Sequence, residues 1–597
     1  MRKILLTLLA LASLGYAESI SEIQGRGLQS PLLNKNVSDV EGIVTYKINT
    51  KYNKGMYIQS EKPDQDSNTS EGIYVEYKGV DKISVGDLVN VSGKVEELQF
   101  AKFDSTKLTV TAIIAKDLEV LDVNLKPMVT EIRGDEIPSN IADGDVLALD
   151  RNASAMDYFE SLEGMVVKIL DPYITGHKEE YGDIFVIPKL ARDKAVITEN
   201  GGILYNKYGN EKNHVIDVSA VDSYYWRDKH FIREFTPNPG DKFKADIVGV
   251  LTNDNYNSIK VLPTEELPPI ENIGSKPDVL EFKYREDMIN ISSYNVENYA
   301  HAVSPERTPI FAKQVKDKLN TPDIITLIEV GDDDGPTTSD VVSSEKNGQA
   351  MIDAIKYESD IDYGYLAVDP EYGKDGGMPS MNIRNAILYR KDKLKLVEFN
   401  QSNSYENTEV LVDENGGAKL KYNPGRIGID SNAFIATRKP LVALFEVNGK
   451  HLYVIGVHLS SKRGDDPVFG PKQPPRRRSE NHRHEQAKYI NNFVKDILSK
   501  DKDATVIVMG DINDFDFSVT SDNLRGNELI DVMGQLAPNK RYSYVYEGMS
   551  QVLDNIFINK EYDGNINVDV IRINPEFTKS QGAFSDHDPV FIQFKLK

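Results

Sequence analysis

The spacing of apolar positions along this chain changes near residue 280. Before that point, short runs rich in β-branched and aromatic residues alternate with Gly- and Asp-bearing turns: VEGIVTYK (40–47), GMYIQS (55–60), EGIYVEY (71–77), DLVNVSGKVEEL (87–98) and KLTVTAII (107–114). Period-two patterning of this kind predicts strands with one buried face, and about five at this spacing predict a small Greek-key barrel over 18–125. A weak internal echo follows. LEGMVVKI (162–169), DIFV (183–186) and PGDKFKADIVGVL (239–251) repeat the order of the first module's runs, which predicts a second, diverged β-barrel module over 126–275. Residues 252–281 carry Pro263, Pro268, Pro269 and Pro277 and read as a linker. From 276 to 597, strands alternate with helical patterns. Strands are predicted at 289–298, 323–330, 363–368, 382–390 and 505–513, a strand pair at 542–559, helices at 305–319, 341–357 and 479–500, and a hairpin at 440–459 turning at Asn448-Gly449. Val590, Ile592 and Phe594 define a last strand, and Pro589 before it suits the first position of an edge strand. Hairpins mixed with crossover helices predict an α/β domain of two stacked mixed sheets covered by helices.

Composition narrows the class. A chain of 597 residues exceeds what one hydrophobic core supports. Residues 1–17, MRKILLTLLALASLGYA, have a basic start, an apolar run and small residues at the end, the pattern of a secretory signal peptide cleaved after Ala17. No later stretch is long and apolar enough to span a bilayer, so no membrane partner is expected. Cysteine is absent, which removes disulfides, thiolate metal sites and cysteine nucleophiles. The net charge of −23 argues against a chain coated in positive charge for non-specific nucleic-acid binding, while acidic clusters suit divalent cations.

Candidate chemistry lies at strand ends in the last 300 or so residues. Asn295 ends INISSYN, Glu329 ends IITLIE, His458 ends LYVIGVH, Asp511 and Asn513 end TVIVMGDIN, Asp554 sits in VLDNIF, and Asp586-His587 precede the last strand. A lone Asp or Asn there is usually a turn or a cap. So many acids, amides and imidazoles at successive strand ends would meet if the strands share a sheet edge. Oxygen ligands without thiolates favour a hard cation: Mg²⁺, with Mn²⁺ compatible. Glu329 is the first ligand, with Asp586 and Asn295 completing the shell. His587, paired with Asp554, would deprotonate the attacking water. His458, Asn513 and Asp511 would hold the scissile phosphate and stabilise the leaving oxygen.

In order along the chain, SYNVEN, LIEV, GVHLSSK, GDIND, LDNIF and FSDHDPV resemble the endonuclease/exonuclease/phosphatase superfamily, the deoxyribonuclease I-like fold, over about 285–597. The resemblance implies a four-layered α/β sandwich and the same residue roles. It adds Arg384, in NIRNAILYR, as a phosphate contact, and a carboxylate partner for His458, for which Asp369 and Glu371 both remain open. SEIQGRGLQSPL (21–32), NTSEGIYV and EVGDDDG (329–335) resemble the secreted bacterial extracellular nucleases that carry an OB-like module ahead of this domain.

Substrate signals are local. Lys462, Arg463, Lys472, Arg476, Arg477, Arg478 and Arg483 follow His458 and form a basic patch beside a proposed catalytic residue. Arg463, Arg476 and Arg477 are the candidates to grip flanking phosphates. GDDDG (331–335) lacks EF-hand spacing and reads as an acidic loop or an additional Ca²⁺ site. In the first module Tyr57, Tyr74 and Tyr77 are candidates for base stacking. The expected protein is a secreted, monomeric, metal-dependent nuclease acting on DNA, with RNA as a further substrate; extracellular and periplasmic locations both fit. Two alternatives stand beside it: a sphingomyelinase-like phosphoesterase on the same scaffold, and a non-catalytic nucleic-acid-binding adhesion protein.

Overall fold

The computed structural model describes residues 18–100, 104–144, 146–178, 182–206, 211–219, 236–253, 259–412, 414 and 416–597; the expected signal peptide, 1–17, lies outside them. Strands Asn36–Asn49, Lys54–Gln59, Gly72–Glu76, Val110–Asp122 and Leu88–Leu98 close, in that spatial order, into a barrel. Its first strand is long and bulged between Val37 and Val40 and again between Val44 and Tyr46, so it bends enough to pair with neighbours on both sides.

The second module is a nine-stranded sheet. Val166–Ile169 pairs with Ile247–Asn253, whereas Pro172–Ile174, two residues further on, pairs with Asp183–Pro188 near the sheet's other end. The sheet therefore winds back onto one bent segment. The expected linker begins inside this sheet: Ile259–Pro263 pairs with Ile247–Asn253, and Ile270–Glu271 pairs with Lys242–Phe243. Buried Ile259, Val261 and Leu262 outweigh the prolines, and Pro263 falls at a strand end where its missing N–H is tolerated.

The two modules share a core. Tyr57 and Tyr74 are buried there, rings 5.2 Å apart, against Val166, Val250 and Leu262, and the Tyr57 hydroxyl lies 3.0 Å from Thr252 Oγ1. These two rings are thus packing residues, not a surface for bases. Gly72 and Gly164 touch across the same joint. A Cβ on Gly72 would sit 2.1 Å from the Gly164 carbonyl carbon, so only glycine fits.

From Ile289 onward two sheets stack face to face. One has the order Tyr363–Ala367, Arg384–Arg390, Ile324–Val330, Ile289–Tyr299, Val590–Phe594, Ile566–Val570; the other runs Lys395–Leu396, Leu441–Val447, Lys450–His458, Thr505–Asp511, Asp554–Asn559, Leu529–Asp531. Along Thr505–Asp511, Ile507 and Met509 face the inter-sheet core, joining Ile291, Ile324, Val454 and Ile592, while Val506 and Val508 face helix Arg478–Lys500. Helices Arg307–Asp317 and Glu345–Ser359 cover the other sheet through Phe311, Val315, Met351 and Ile355. The layers are therefore helix, sheet, sheet, helix. The last strand is not at the edge: Ile566–Val570 lies outside it, all five of its residues are buried, and Phe591 packs under the helices. No described helix is long and apolar enough to cross a membrane.

Candidate active site

Register places three of the polar strand ends in one row. His458 pairs with Asp511 on the parallel neighbour, and Asp511 pairs with Asp554 on the antiparallel one. The facing sheet supplies Asn295 and Glu329 through bulged ends, where register shifts fall after Asn295 and between Leu327 and Val330. Glu329 takes a positive φ of 68°, and Asn513 one of 50°. Such backbone is unfavourable for a glutamate and marks a position held by its surroundings. Here it turns the carboxylate off the strand and towards the opposite sheet. Ser585, Asp586 and His587 enter from the loop before the last strand. Ser585 Oγ donates to the Asn295 carbonyl at 2.7 Å, and the Asp588 amide donates to the Ser543 carbonyl at 2.7 Å, which together pin that loop between the sheets.

The side chains converge. Asn295 Nδ2 lies 3.4 Å from both Glu329 Oε1 and Asp511 Oδ2. His458 Nε2 is 3.7 Å from each of the same two oxygens. The Asp511 carboxylate accepts from the Asn513 amide N–H at 2.7 Å and from its side chain at 3.2 Å. His587 Nδ1 lies 2.6 Å from Asp554 Oδ2, which also accepts from Ser543 Oγ at 2.9 Å, and Asp586 Oδ1 is 4.0 Å from His587 Nε2. Glu329, His458, Asp511, Asn513, Asp586 and His587 all line one cavity of about 500 Å³.

Burial and crowding of like charge shift the titrations. Burial pushes the Glu329 and Asp511 carboxyls up; Asp586 adds to the effect on Glu329, and Asp554 to that on Asp511. Burial, with the cations of Arg438 and His587 nearby, drives His458 well below the usual imidazole value and keeps it neutral. At His587 burial acts in the same direction, but Asp554 and Asp586 outweigh it and raise the imidazole well above its ordinary value. Carboxyls held in this costly state suit a cation that would relieve it. The donor atoms of Glu329, His458 and Asp511 lie within 4.8 Å of one another, so the residues present fit a divalent ion.

Arg438 escapes sequence reasoning. It is buried, one Nη donates to the Leu459 carbonyl at 2.8 Å, its Nε has no partner among the described residues, and its charge acts on Glu329, Asp511 and His458. In ATRKPLV it looks like any basic turn residue.

The basic candidates divide. Arg463 and Arg477 line the cavity, as do Lys462 and Arg483. Arg483 is buried against Asp514 at 2.9 Å, and burial lowers Lys462 to about 8. Arg476 instead pairs with Asp466 at 2.8 Å, outside the lining. Arg384 is buried away from the cavity, its guanidinium held by Asp369 and by the Asn382 carbonyl at 2.9 Å. Asp369 is thereby committed, and neither it nor Glu371 serves His458, whose buried Nδ1 has no hydrogen-bond partner among the described residues.

No curated protein matches the chain. Among solved structures it is similar to an endonuclease/exonuclease/phosphatase family protein from Leptotrichia buccalis, at 15% identity over 51% of this chain and 99% of that one, TM-score 0.34. It is also similar to D. rerio TDP2 complexed with single strand DNA product (16% identity, 51% and 98% covered, TM-score 0.32) and to the human Nocturnin catalytic domain (15%, 52% and 95%, TM-score 0.32). Residues 123–272 match a domain of unknown function, DUF8508. Residues 420–571, which carry His458, Asp511, Asn513 and Asp554, match the Endonuclease/Exonuclease/phosphatase family.

Proposed function

We propose that this chain is a secreted, divalent-metal-dependent nuclease that hydrolyses phosphodiester bonds of DNA, with RNA as a further substrate, by direct attack of water on phosphorus. One observation carries the reading: carboxylates, amides and two imidazoles from both sheets meet in one cavity, bordered by Lys462, Arg463 and Arg477. The match of 420–571 supports it independently. Export rests on the leader-like pattern of residues 1–17. The first module's five-stranded closed barrel, with its first strand paired to its fourth, suits an OB-like module.

Glu329 and Asp511 would hold Mg²⁺ or Mn²⁺, with Asp586 at the rim; Asn295, whose Nδ2 faces both carboxylates, would join them through Oδ1 on turning its amide over, and the ion would supply Lewis-acid stabilisation of the phosphate while offsetting the local negative charge. The chain's own groups do the rest. Asp554 fixes the His587 imidazole through Nδ1 and leaves Nε2 towards the cavity; the carboxylates that hold this imidazole protonated are the ones a bound cation would offset, and the neutral form so released takes the proton of the attacking water. Neutral His458 can hold a phosphate oxygen without itself being titrated near neutral pH, while Asn513, whose Nδ2 donates to the Leu459 carbonyl and to Asp511 Oδ2 at 3.2 Å each, holds Asp511 in place. Arg438 balances the carboxylates from behind and so lowers the cost of bringing in an anion. A time course on closed circular plasmid with added Mg²⁺, with and without chelator, tests the reading. Opening of the circle that chelator stops is expected. No cleavage of plasmid or oligonucleotide, with turnover of sphingomyelin instead, would overturn it in favour of the other phosphoesterase; binding without turnover would favour the adhesive alternative.

A further inference from the structure

The second module reaches into the cavity. Its segment Ile203–Leu204 pairs in parallel with Met549–Ser550, extending the hairpin Tyr544–Tyr546/Met549–Gln551 to three strands, and the Tyr205 amide donates to the Ser550 carbonyl at 2.8 Å. The hairpin turns at Glu547 (φ 46°) and Gly548 (φ 72°), a two-residue turn of the primed class. Its tip sits against that module: a Cβ on Gly548 would meet Phe185 at 2.4 Å, and Lys212 pairs with Glu547 in a nearly buried ion pair. The loop after His458 is fixed by the same module, since Phe469 is buried in its core against Phe159.

What these contacts hold in place is aromatic. On one outer strand of this three-stranded sheet the Tyr544 ring lies 4.5 Å from His587, with Tyr546 stacked beyond it at 6.4 Å and planes 11° apart. At the end of the other outer strand, Tyr205 packs 4.7 Å from Phe515, over which Lys462 Nζ lies at 4.4 Å. Tyr546 is 49% exposed, and Tyr205, Tyr544, Tyr546 and Phe515 all line the cavity. Ring faces beside an acidic site edged by cations fit the alternation of base and phosphate along a strand. Bases within a duplex have no free face to offer, so the matching ligand is unpaired.

We propose that the module matching a domain of unknown function completes the substrate cleft. Its Tyr205, and the hairpin tyrosines it braces, stack against bases of a single-stranded polynucleotide that flank the scissile phosphate along this one sheet. This rests on the phosphodiesterase reading above and adds the form of the substrate. The test uses the full chain with Mg²⁺ and two single-stranded oligonucleotides, identical except that in one the nucleotides flanking a single cleavable linkage are abasic. The wild type should favour the base-bearing strand by about tenfold or more in kcat/KM, chiefly through KM. Tyr546→Ala and Tyr205→Ala should pull that ratio towards one, and Tyr546→Phe should keep it, which a merely structural loss would not do. A wild type that cleaves both strands equally well overturns the proposal while leaving the nuclease reading intact. Cleavage of neither strand by an enzyme that still opens closed circular plasmid likewise overturns the proposal alone, whereas failure on both strands and on plasmid counts against the nuclease reading and so against both.

Discussion

Replacing Asp554 by asparagine tests the geometry most directly, because it changes charge and one donor while keeping shape. Asp554 is fully buried; Oδ2 accepts from His587 Nδ1 and Ser543 Oγ, and Oδ1 has no partner among the described residues. An amide has two ways to sit there. With its oxygen in the Oδ2 position both hydrogen bonds survive, but the NH₂ group takes the partnerless side and goes unsatisfied, at about 1–3 kcal/mol of stability. Turned over, the NH₂ group meets two donors and releases the imidazole to the other tautomer. Either way the carboxylate that raises His587 is gone, so the imidazole pKa must fall. Loss of an oriented base is worth roughly 10²–10⁴-fold in rate, or about 3–5 kcal/mol of barrier. We expect Asp554→Asn to lower kcat by that range in oligonucleotide cleavage, to move the acidic limb of the pH–rate profile to lower pH, and to unfold at a lower temperature. Stability and rate separate in one experiment, since thermal melts measure the first and single-turnover cleavage well below the melting temperature measures the second. A variant within about threefold of wild type, with its pH profile unmoved, would refute the assignment of His587 as the base.

Glu329→Gln should abolish Mn²⁺ binding detectable by calorimetry and cut Mg²⁺-supported cleavage by at least about 10²-fold, with far-UV circular dichroism unchanged. Glu576 is fully buried and its carboxyl is raised by burial from 4.5 to about 7, although Asn200 donates to it at 2.5 Å. Its favoured folded form is therefore the protonated one: the contribution is complete below pH 4.5 and is lost as pH rises through about 7, at a cost approaching about 3 kcal/mol. Glu576→Gln should thus raise the melting temperature relative to wild type at pH 8 and not at pH 4. Gly548→Ala combines left-handed backbone with the 2.4 Å approach to Phe185, so it should displace the hairpin, lower the melting temperature by several degrees and raise KM for single strands. Since Lys462, Arg463 and Arg477 line the cavity, binding of a single strand should weaken with salt at a log–log slope of about −2, and a slope near zero would remove them from the substrate path.

Much of the candidate site is legible because its residues sit where strands stop, and a strand's end can be read from its apolar period. Asn295, Glu329, His458, Asp511, Asn513, Asp554, Asp586 and His587 were all accessible to that argument. What local pattern does not carry is contact between distant segments. Tyr57 and Tyr74 have the alternation of rim residues, yet a second module covers them. Arg384 and Arg438 both stand beside apolar strands, and only packing distinguishes them: Arg384 is spent on Asp369, while Arg438 faces the carboxylate cluster. Nor can sequence reveal a bulge, although bulges are what turn Asn295 and Glu329 off their strands.

The net charge of −23 raises a question the site itself answers. An acidic chain should repel a polyanion, and Glu329, Asp511 and Asp586 crowd the proposed point of cleavage. Long-range repulsion is screened beyond about 8–10 Å at physiological salt, so the distribution inside the cavity decides binding. There the cations form two tiers. Arg438 lies buried behind Glu329 and Asp511, where its charge acts on both carboxylates and it is too enclosed to hold substrate. Lys462, Arg463 and Arg477 stand at the wall, where flanking phosphates would pass. Between the tiers the carboxylates remain under-compensated, and a divalent cation would balance that remainder. On this arrangement metal and substrate reinforce one another: each lowers the electrostatic cost of admitting the other, so Mn²⁺ should bind more tightly when a non-cleavable strand is present, and the strand more tightly, by the same factor, when Mn²⁺ is present. Equal affinities with and without the partner would mean that the acidic cluster and the basic wall do not act on a common ligand.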